Sequence, residues 1–283
     1  MTDQLVQTGH LSAAPLGKTS ANPDKYSPEL LFPIPRSAHR ALLQYGNTLP
    51  FMGVDIWNAY ELSWLGPKGK PEVAIAQIEI PFDSPFMIES KSLKLYLNSL
   101  NYERFFSPEE VQSRISQDLS ACCQSKVSIT VLNPGEWSKL SFDQTEGTLL
   151  DRLDLQIDPQ DLPNPNWLSS DSSSAPIEET LFSNLLRSNC PVTGQPDWAS
   201  IFISYTGPAI NQENLLRYIV SYRNHQEFHE HCVEKIFCDI KANCKTVKLT
   251  VYARYTRRGG LDINPFRTDF NTPWPKNKRL ARQ

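Results

Sequence analysis

Val127-Ser128-Ile129-Thr130-Val131 alternates apolar and polar residues, and the pattern returns 120 residues later as Val247-Lys248-Leu249-Thr250-Val251. Alternation with a period of two predicts a strand that buries one face. Positions upstream of both stretches also correspond, at a constant offset of 122. These pairs are Leu93 and Leu215, Tyr96 and Tyr218, Ser99 and Ser221, and Val111 and Val233. Coincidence between two amphipathic stretches is the alternative, but one offset shared by spaced positions favours a tandem duplication.

The first repeat has the clearer pattern. Apolar residues at alternate positions predict strands over 55–65 and 73–81, joined in a hairpin by the turn Gly66-Pro67-Lys68-Gly69. Ser107-Pro108-Glu109-Glu110 is typical of a helix N-terminus and predicts a helix to about Cys122. We therefore expect the order strand, strand, helix, helix, strand.

The second repeat follows the same order with one exception. Strands are predicted over 198–205 and 247–255 and helices over 214–222 and 226–242, whereas 177–189 is interpreted as a helical or irregular lead-in. Each repeat then contains an antiparallel sheet with helices on one face, which is an α+β fold class. The predicted organisation is an N-terminal arm over 1–45, a first module over 46–135, a linker or surface excursion over 136–176 and a second module over 177–283.

Composition and charge exclude several classes of protein. Of the 283 residues, 40% are hydrophobic and 21% charged, as in ordinary globular proteins. The net charge of −3 argues against a protein that binds nucleic acid in bulk. From Arg254 onward, eight Lys and Arg residues stand against two acidic ones, a basic patch that suits a small phosphorylated ligand. A solvated tail is the alternative for Lys276 to Arg282.

The sequence also bears on the compartment. Neither a signal peptide nor a membrane span is predicted, because no basic start precedes an apolar run and no stretch reaches about 18 apolar residues. The six cysteines include no C-x-x-C pair, so zinc is not predicted. We expect a reduced, cytoplasmic protein without a metal.

The segment 188–198, Ser-Asn-Cys-Pro-Val-Thr-Gly-Gln-Pro-Asp-Trp, is the first candidate for chemistry. Pro191 and Pro196 prevent a helix, and the glycine between them permits a tight turn. Such a turn could bring the Asp197 carboxylate beside the Cys190 sulfur, where it could take or return a proton. A buried structural cysteine beside a proline-glycine loop is the alternative.

Three further clusters carry charged or hydroxyl groups. They are Glu89-Ser90-Lys91-Ser92, Phe228-His229-Glu230 and Thr256-Arg257-Arg258-Gly259-Gly260. Taken singly, these clusters also fit a solvated strand end, a helix surface pair and a basic turn. No Gly-x-Gly-x-x-Gly follows a strand, so a Rossmann cofactor site is not predicted.

Together, the four segments resemble the NADPH-dependent 7-cyano-7-deazaguanine reductases, the nitrile reductases of queuosine biosynthesis, in their long form with two modules. The resemblance extends from about Leu16 to Gln283. It implies the tunnelling fold (T-fold), in which paired α+β units assemble sheets into barrels, and the reduction of a nitrile to a primary amine with two NADPH. It also implies 7-cyano-7-deazaguanine as a small-molecule substrate, no direct nucleic-acid or membrane partner, and a homodimer.

The resemblance further implies roles for individual residues. Cys190 would add to the nitrile carbon and form a covalent thioimide, with Asp197 as the proton donor and His229 beside it. The deazaguanine would contact Ile88, Glu89, Ser90, His229 and Glu230, and NADPH would contact Ser90, Lys91, Arg258 and Gly259. Such roles agree with the chemistry, since a nitrile carbon is a modest electrophile that requires a thiolate.

The two repeats differ in what they carry. The first has the Glu-Ser-Lys-Ser run but no matching cysteine, and at offset 122 from Glu89 the second has Asn211-Gln212-Glu213. We therefore expect one site per chain, to which both repeats contribute. Two alternatives stay open. One is a purine or pterin hydrolase resembling GTP cyclohydrolase, with zinc on residues such as His229, His231 and Cys232. The other is a non-catalytic purine-binding module in which Cys190 is merely buried.

Overall fold

The structure is a computed structural model that describes residues 22–43, 45, 48–140, 142, 146–158, 160–173 and 175–283. The first 21 residues of the predicted arm lie outside this part of the chain. The chain divides into two compact units. The first unit takes in the described residues up to 42 and those of 55–141 and 257–262, and the second takes in those of 43–54, 142–256 and 263–283.

The first unit contains a sheet and two longer helices. Its elements are β1 (Pro33–Pro35), α1 (Ser37–Arg40), β2 (Met52–Leu65, from Asp55 onward), β3 (Pro71–Pro81), β4 (Phe86–Ile88), α2 (Ser90–Ser99), α3 (Pro108–Cys123) and β5 (Ser128–Leu132). β3 lies between β2 and β5, and its pairing with β5 is antiparallel. The predicted hairpin is confirmed. The predicted helix start is confirmed as well, because the Ser107 hydroxyl accepts a hydrogen bond from the Glu110 N–H at 3.3 Å.

The second unit has the longer sheet. Its elements are β6 (Thr148–Leu149), β7 (Ile177–Asn189), β8 (Pro196–Gly207), α4 (Gln212–Ser221), α5 (His229–Asn243), β9 (Lys248–Tyr255) and β10 (Leu261–Thr268, from Ile263 onward). The strand order is β10-β9-β8-β7-β6, antiparallel throughout except for the parallel pair β6 and β7. Ile201, Ile203 and Val251 on one face of this sheet are fully buried, as are Ile236 and Phe237 of α5. The α+β class is therefore confirmed.

β7 corrects one prediction. Residues 177–189 form a strand of 13 residues, not a helical or irregular lead-in. The register between β7 and β8 shifts between Ser183 and Leu186, which marks a β-bulge. A bulge inserts an extra residue and breaks the alternation of apolar and polar positions, and this hid the strand in the sequence. With β7 in place, the second unit contains the order strand, strand, helix, helix, strand (β7-β8-α4-α5-β9), which the first unit has as β2-β3-α2-α3-β5.

The C-terminal part of the chain also differs from the prediction. β10 was not predicted, and all eight of its residues are buried. The alternative of a solvated tail, given for Lys276 to Arg282, is wrong for the last residues of this segment. Leu280 and Gln283 are buried, and the Arg282 guanidinium donates to the carbonyl oxygens of Asn184 and Ala199 at 2.8 and 3.0 Å.

Equivalent positions in the two units make equivalent contacts, as a duplication predicts. Tyr96 donates its hydroxyl to Asp118 at 2.6 Å, and Tyr218 donates to Asp239 at 2.5 Å. Glu89 caps the N-terminus of α2, and its counterpart at offset 122, Asn211, caps the N-terminus of α4. The offset of 122 seen in the sequence holds for the two tyrosines and for the two N-caps, whereas the two aspartates are 121 residues apart.

Within the part of the chain that the structure describes, no helix combines the length and the apolar character needed to span a bilayer.

Candidate active site

Cys190 and Asp197 lie at the tip of the hairpin formed by β7 and β8. The Cys190 N–H donates to the Gln195 carbonyl at 2.8 Å, which continues the ladder beyond β7, and Gly194 takes a φ of +66° in the turn. Ser188 stands opposite Asp197 in the ladder. Alternate residues of a strand share a face, so Cys190 and Asp197 are diagonal neighbours on one face. The thiol and the carboxylate are 3% and 7% exposed.

The segment before α5 joins this hairpin by backbone hydrogen bonds. The Asn189 N–H donates to the His225 carbonyl at 2.8 Å, and the Glu227 N–H donates to the Asn189 carbonyl at 3.1 Å. α5 begins two residues later, at His229. The first turn of α5 is thereby fixed beside Asp197, with Glu230 buried as its second residue.

His229 contacts Asp197 directly. Its Nε2 atom lies 3.3 Å from Oδ2 of Asp197. The imidazole also stacks on the Tyr255 ring, with centroids 3.7 Å apart and planes within 1°. Tyr255 ends β9, opposite Ala199 of β8, so the sheet itself supports the imidazole. This arrangement can hold a carboxylate and an imidazole in a fixed position beside a thiol.

Other thiols in the chain are held in the neutral form. Burial raises the pKa of Cys122 to about 11 and that of Cys244 to about 12. Burial, reinforced by the Glu227 carboxylate, also raises the pKa of Cys232 well above its ordinary range. A thiol is a poor nucleophile in this state, so these three cysteines fit a packing role.

Glu89 has a structural position that sequence reasoning missed. Its carboxylate is fully buried and accepts the N–H groups of Lys91 at 2.6 Å and Ser92 at 2.8 Å. Burial raises the pKa of Glu89, although both N–H groups and the charges of Lys91 and Lys94 oppose this rise. Ile88 is buried at the end of β4, and Ser90 is half-buried as the first residue of α2.

The predicted cofactor residues share the first unit. Arg258, Gly259 and Gly260 form a tight turn in which both glycines have positive φ, +57° and +76°, as a type I′ turn requires. A Cβ atom placed on Gly259 would lie 3.0 Å from Nζ of Lys94, so the Lys94 ammonium lies against this turn. Lys94 is three residues after Lys91 on α2, a helical spacing that could have identified it.

The predicted residues thus form two groups. The second unit brings together Cys190, Asp197, His229 and Glu230. The first unit brings together the start of α2 and the Arg258-Gly259 turn through Lys94. Sequence reasoning missed Tyr255 and Lys94, because each meets its neighbours through tertiary contacts.

Comparisons with known proteins identify the family. A protein-family model for the N-terminal part of 7-cyano-7-deazaguanine reductase, a nitrile reductase, matches residues 22–131. A second family model, for QueF-like proteins, matches residues 196–273. The NADPH-dependent 7-cyano-7-deazaguanine reductase of Cupriavidus necator is 57% identical over 272 residues, which are 95% of this chain and 98% of the relative. That of Paraburkholderia phymatum is 57% identical over 270 residues, again 95% and 98%.

A third reductase of the same name, from Ralstonia nicotianae, is 54% identical over 97% of this chain and 99% of its own length. A crystal structure of an archaeosine synthase QueF-Like in the apo form covers 36% of this chain with 17% identity and a TM-score of 0.31, and so weak a likeness does not bear on the fold. On the near-full-length identities, this chain belongs to the family of NADPH-dependent 7-cyano-7-deazaguanine reductases.

Proposed function

We propose that this chain reduces the nitrile of 7-cyano-7-deazaguanine to an aminomethyl group with two NADPH, as a step of queuosine biosynthesis. The observation that carries the proposal is the 57% identity with a reductase of this name over 95% of the chain. The contact between His229 and Asp197, beside Cys190 at the tip of the hairpin, supports the proposed reaction chemically.

Cys190 acts as the nucleophile. A lone pair of the thiolate forms a C–S bond to the nitrile carbon while Asp197 delivers a proton to the nitrile nitrogen, and the product is a neutral thioimide. The thioimide carbon then accepts a hydride from NADPH. Breaking the C–S bond expels the thiolate and leaves an imine, whose carbon accepts a second hydride while its nitrogen gains a proton.

His229 keeps Asp197 in place for these proton transfers. The imidazole is supported by the Tyr255 ring on one side and lies 3.3 Å from the carboxylate at its edge. A general acid must stay within hydrogen-bond reach of the atom that it protonates, so the fixed imidazole contributes positioning.

Buried carboxylates recognise the deazaguanine. A guanine-like ring presents parallel N–H donors, which a carboxylate can accept in pairs. Glu230 and Glu89 are both buried, and Glu89 keeps lone pairs beyond the two that its N-cap contacts use. Ile88, Ser90 and His229 complete the proposed substrate contacts.

The cations near the Gly259 turn bind NADPH. Lys91, Lys94 and Arg258 supply positive charge for phosphate groups, and the absence of a Cβ atom at Gly259 lets the Lys94 ammonium lie against the turn. Ser90, at the start of α2, adds a hydroxyl. These residues fit a phosphate-bearing cofactor by charge, and NADPH supplies the hydride once bound.

Five further features belong to the proposal. We infer a T-fold, a homodimer, a cytoplasmic location and no requirement for a metal or for direct contact with nucleic acid. The six cysteines, all in the described part of the chain and all free thiols, support a reduced compartment. The antiparallel sheet of each unit supports the T-fold.

An assay of NADPH oxidation with 7-cyano-7-deazaguanine tests the function. Wild type should oxidise two NADPH for each aminomethyl product, and Cys190→Ala should oxidise none. Substrate-independent oxidation, or full turnover by Cys190→Ala, would refute the proposal. A zinc determination on the active protein separates it from a cyclohydrolase-like hydrolase, which needs stoichiometric metal.

A further inference from the structure

A groove lies on the second unit, on the sheet face that points away from α5. Residues of β7, β8 and β9 form its floor, and the segment from Pro275 to Leu280 forms one wall. It encloses about 470 Å³, within the size range of sites for small organic ligands. Successive residues of a strand point to opposite faces, so Arg254 faces this groove while Tyr255 faces His229.

Arg254 is the unusual residue of the groove. Its side chain is 3% exposed, and one guanidinium nitrogen donates to the Tyr252 hydroxyl at 2.8 Å. Nε and the other terminal nitrogen are buried and have no hydrogen-bond partner. Among the described residues, no carboxylate pairs with it. A guanidinium carries five N–H donors in a planar fork, so most of its capacity is unused.

An unpaired buried charge is costly, and a protein normally supplies a counter-charge. The described residues that line the groove carry two further cations, Lys276 and Lys278, and one carboxylate, the exposed Glu146. The hydroxyls of Thr180 and Ser204 lie 2.9 Å apart on the floor. Only one of the two hydroxyls can donate to the other, which leaves an O–H for a ligand.

We propose that this groove binds a small oxyanion ligand, a phosphate- or carboxylate-bearing molecule, through the free fork of Arg254. A planar guanidinium matches two oxygens of such a group in parallel. Lys276 and Lys278 add long-range attraction. The site lies on the opposite face of β9 from the His229–Asp197 contact and is separate from the reductase chemistry.

Calorimetric titration of the full-length protein with inorganic phosphate, and separately with citrate, tests the proposal. In buffer free of both, wild type should bind one equivalent of at least one probe. Arg254→Gln should weaken that binding at least tenfold. The exposed Arg152→Gln in the same unit is the matched control and should bind as wild type does. Arg258→Gln should also retain the binding, because Arg258 belongs to the proposed NADPH contacts.

The two probes separate the sources of the oxyanion. Binding of phosphate alone assigns a phosphate ligand, and binding of citrate alone assigns a carboxylate. The proposal is overturned if wild type binds neither probe, or if Arg254→Gln binds as tightly as wild type.

Thermal unfolding of Arg254→Met provides a second test. In buffer without phosphate or citrate, Arg254→Met should have the same Tm as wild type or a higher one, because it removes an uncompensated buried charge. The probe that wild type binds should raise the Tm of wild type and leave that of Arg254→Met unchanged. A fall in Tm of Arg254→Met in that buffer would show that the guanidinium is satisfied within the protein, and the proposal would be wrong.

Discussion

His229 holds Asp197 from the first turn of α5, with 3.3 Å between Nε2 of the imidazole and Oδ2 of the carboxylate. The imidazole has little freedom to turn away, because its plane lies flat on the Tyr255 ring at 3.7 Å. Helix α5, which carries His229, and strand β9, which carries Tyr255, therefore fix the position of the Asp197 carboxylate together. Tyr255 takes no part in the proposed chemistry but supports a residue that does.

Replacing Tyr255 tests this support. Tyr255→Leu should lower kcat by about tenfold or more, because a small displacement of a catalytic group is costly in rate. Tyr255→Phe keeps the stacked ring and should retain most of the activity. Steady-state kinetics on both variants, with circular dichroism to verify folding, make the comparison. Equal kcat values for the two variants would show that stacking does not matter.

Asp197→Asn removes the proposed proton donor and changes little in volume. We expect kcat/KM for 7-cyano-7-deazaguanine to fall by about 10²- to 10⁴-fold, the usual contribution of general acid catalysis. Asp161→Asn is the matched control, since Asp161 lies in the same unit and pairs with the partly exposed Arg217. An unchanged rate in Asp197→Asn would exclude the acid role.

Glu89 predicts a dependence of stability on pH. Burial raises the pKa of Glu89 above its ordinary 4.5, so the folded chain holds this proton more tightly than the unfolded chain. The stability that the carboxyl contributes is complete below the unfolded pKa and is lost as pH rises through the folded pKa. The stability advantage of wild type over Glu89→Gln should therefore shrink as pH rises above about 4.5.

Urea unfolding at several pH values measures this difference. Glu213→Gln serves as the control, because Glu213 is an exposed acid in the first turn of the equivalent helix α4. The stability difference between wild type and Glu213→Gln should not shrink in this way as pH rises. An advantage of wild type over Glu89→Gln that grows with pH would contradict the burial argument. Separately, Glu89→Ala should lower the free energy of unfolding by about 1 kcal/mol, because it removes the side chain that caps the N-terminus of α2.

Lys94 predicts a selective effect on NADPH. Lys94→Gln should raise KM for NADPH about tenfold, because it removes a charge beside the Arg258-Gly259 turn, and should leave KM for the deazaguanine unchanged. The exposed Lys126→Gln in the same unit controls for the loss of charge alone. If KM for NADPH does not change, the turn and Lys94 do not contact the cofactor.

Regular alternation made most of the fold predictable. Residues 55–65, 73–81 and 248–255 alternate and form strands, and the Ser107 cap fixed the start of α3. β10 could not be found in this way because both of its faces are buried. Its polar residues have hydrogen-bond partners: Asn58 and Tyr60 donate to Asp262 at 2.7 and 2.6 Å, and Arg267 donates to Glu234 at 2.8 Å.

The candidate site was predictable where its residues are close in sequence. The six residues between Cys190 and Asp197 hold the turn that folds one back toward the other. The spacing from Lys91 could have identified Lys94 as a candidate, but the contacts of Lys94 and Tyr255 could not be predicted, because they depend on the position of the Gly259 turn and on the register between β8 and β9. The unpaired guanidinium of Arg254 likewise becomes visible only in the structure.

The central claim is that Cys190 forms a covalent adduct with the nitrile. Intact-protein mass spectrometry after incubation with 7-cyano-7-deazaguanine, without NADPH, measures it most directly. Wild type should gain the mass of one substrate per chain, because the first repeat has no cysteine equivalent to Cys190, and NADPH should remove this mass. Cys190→Ala should gain nothing. An adduct on Cys190→Ala, or no adduct on an active wild-type protein, would contradict the account.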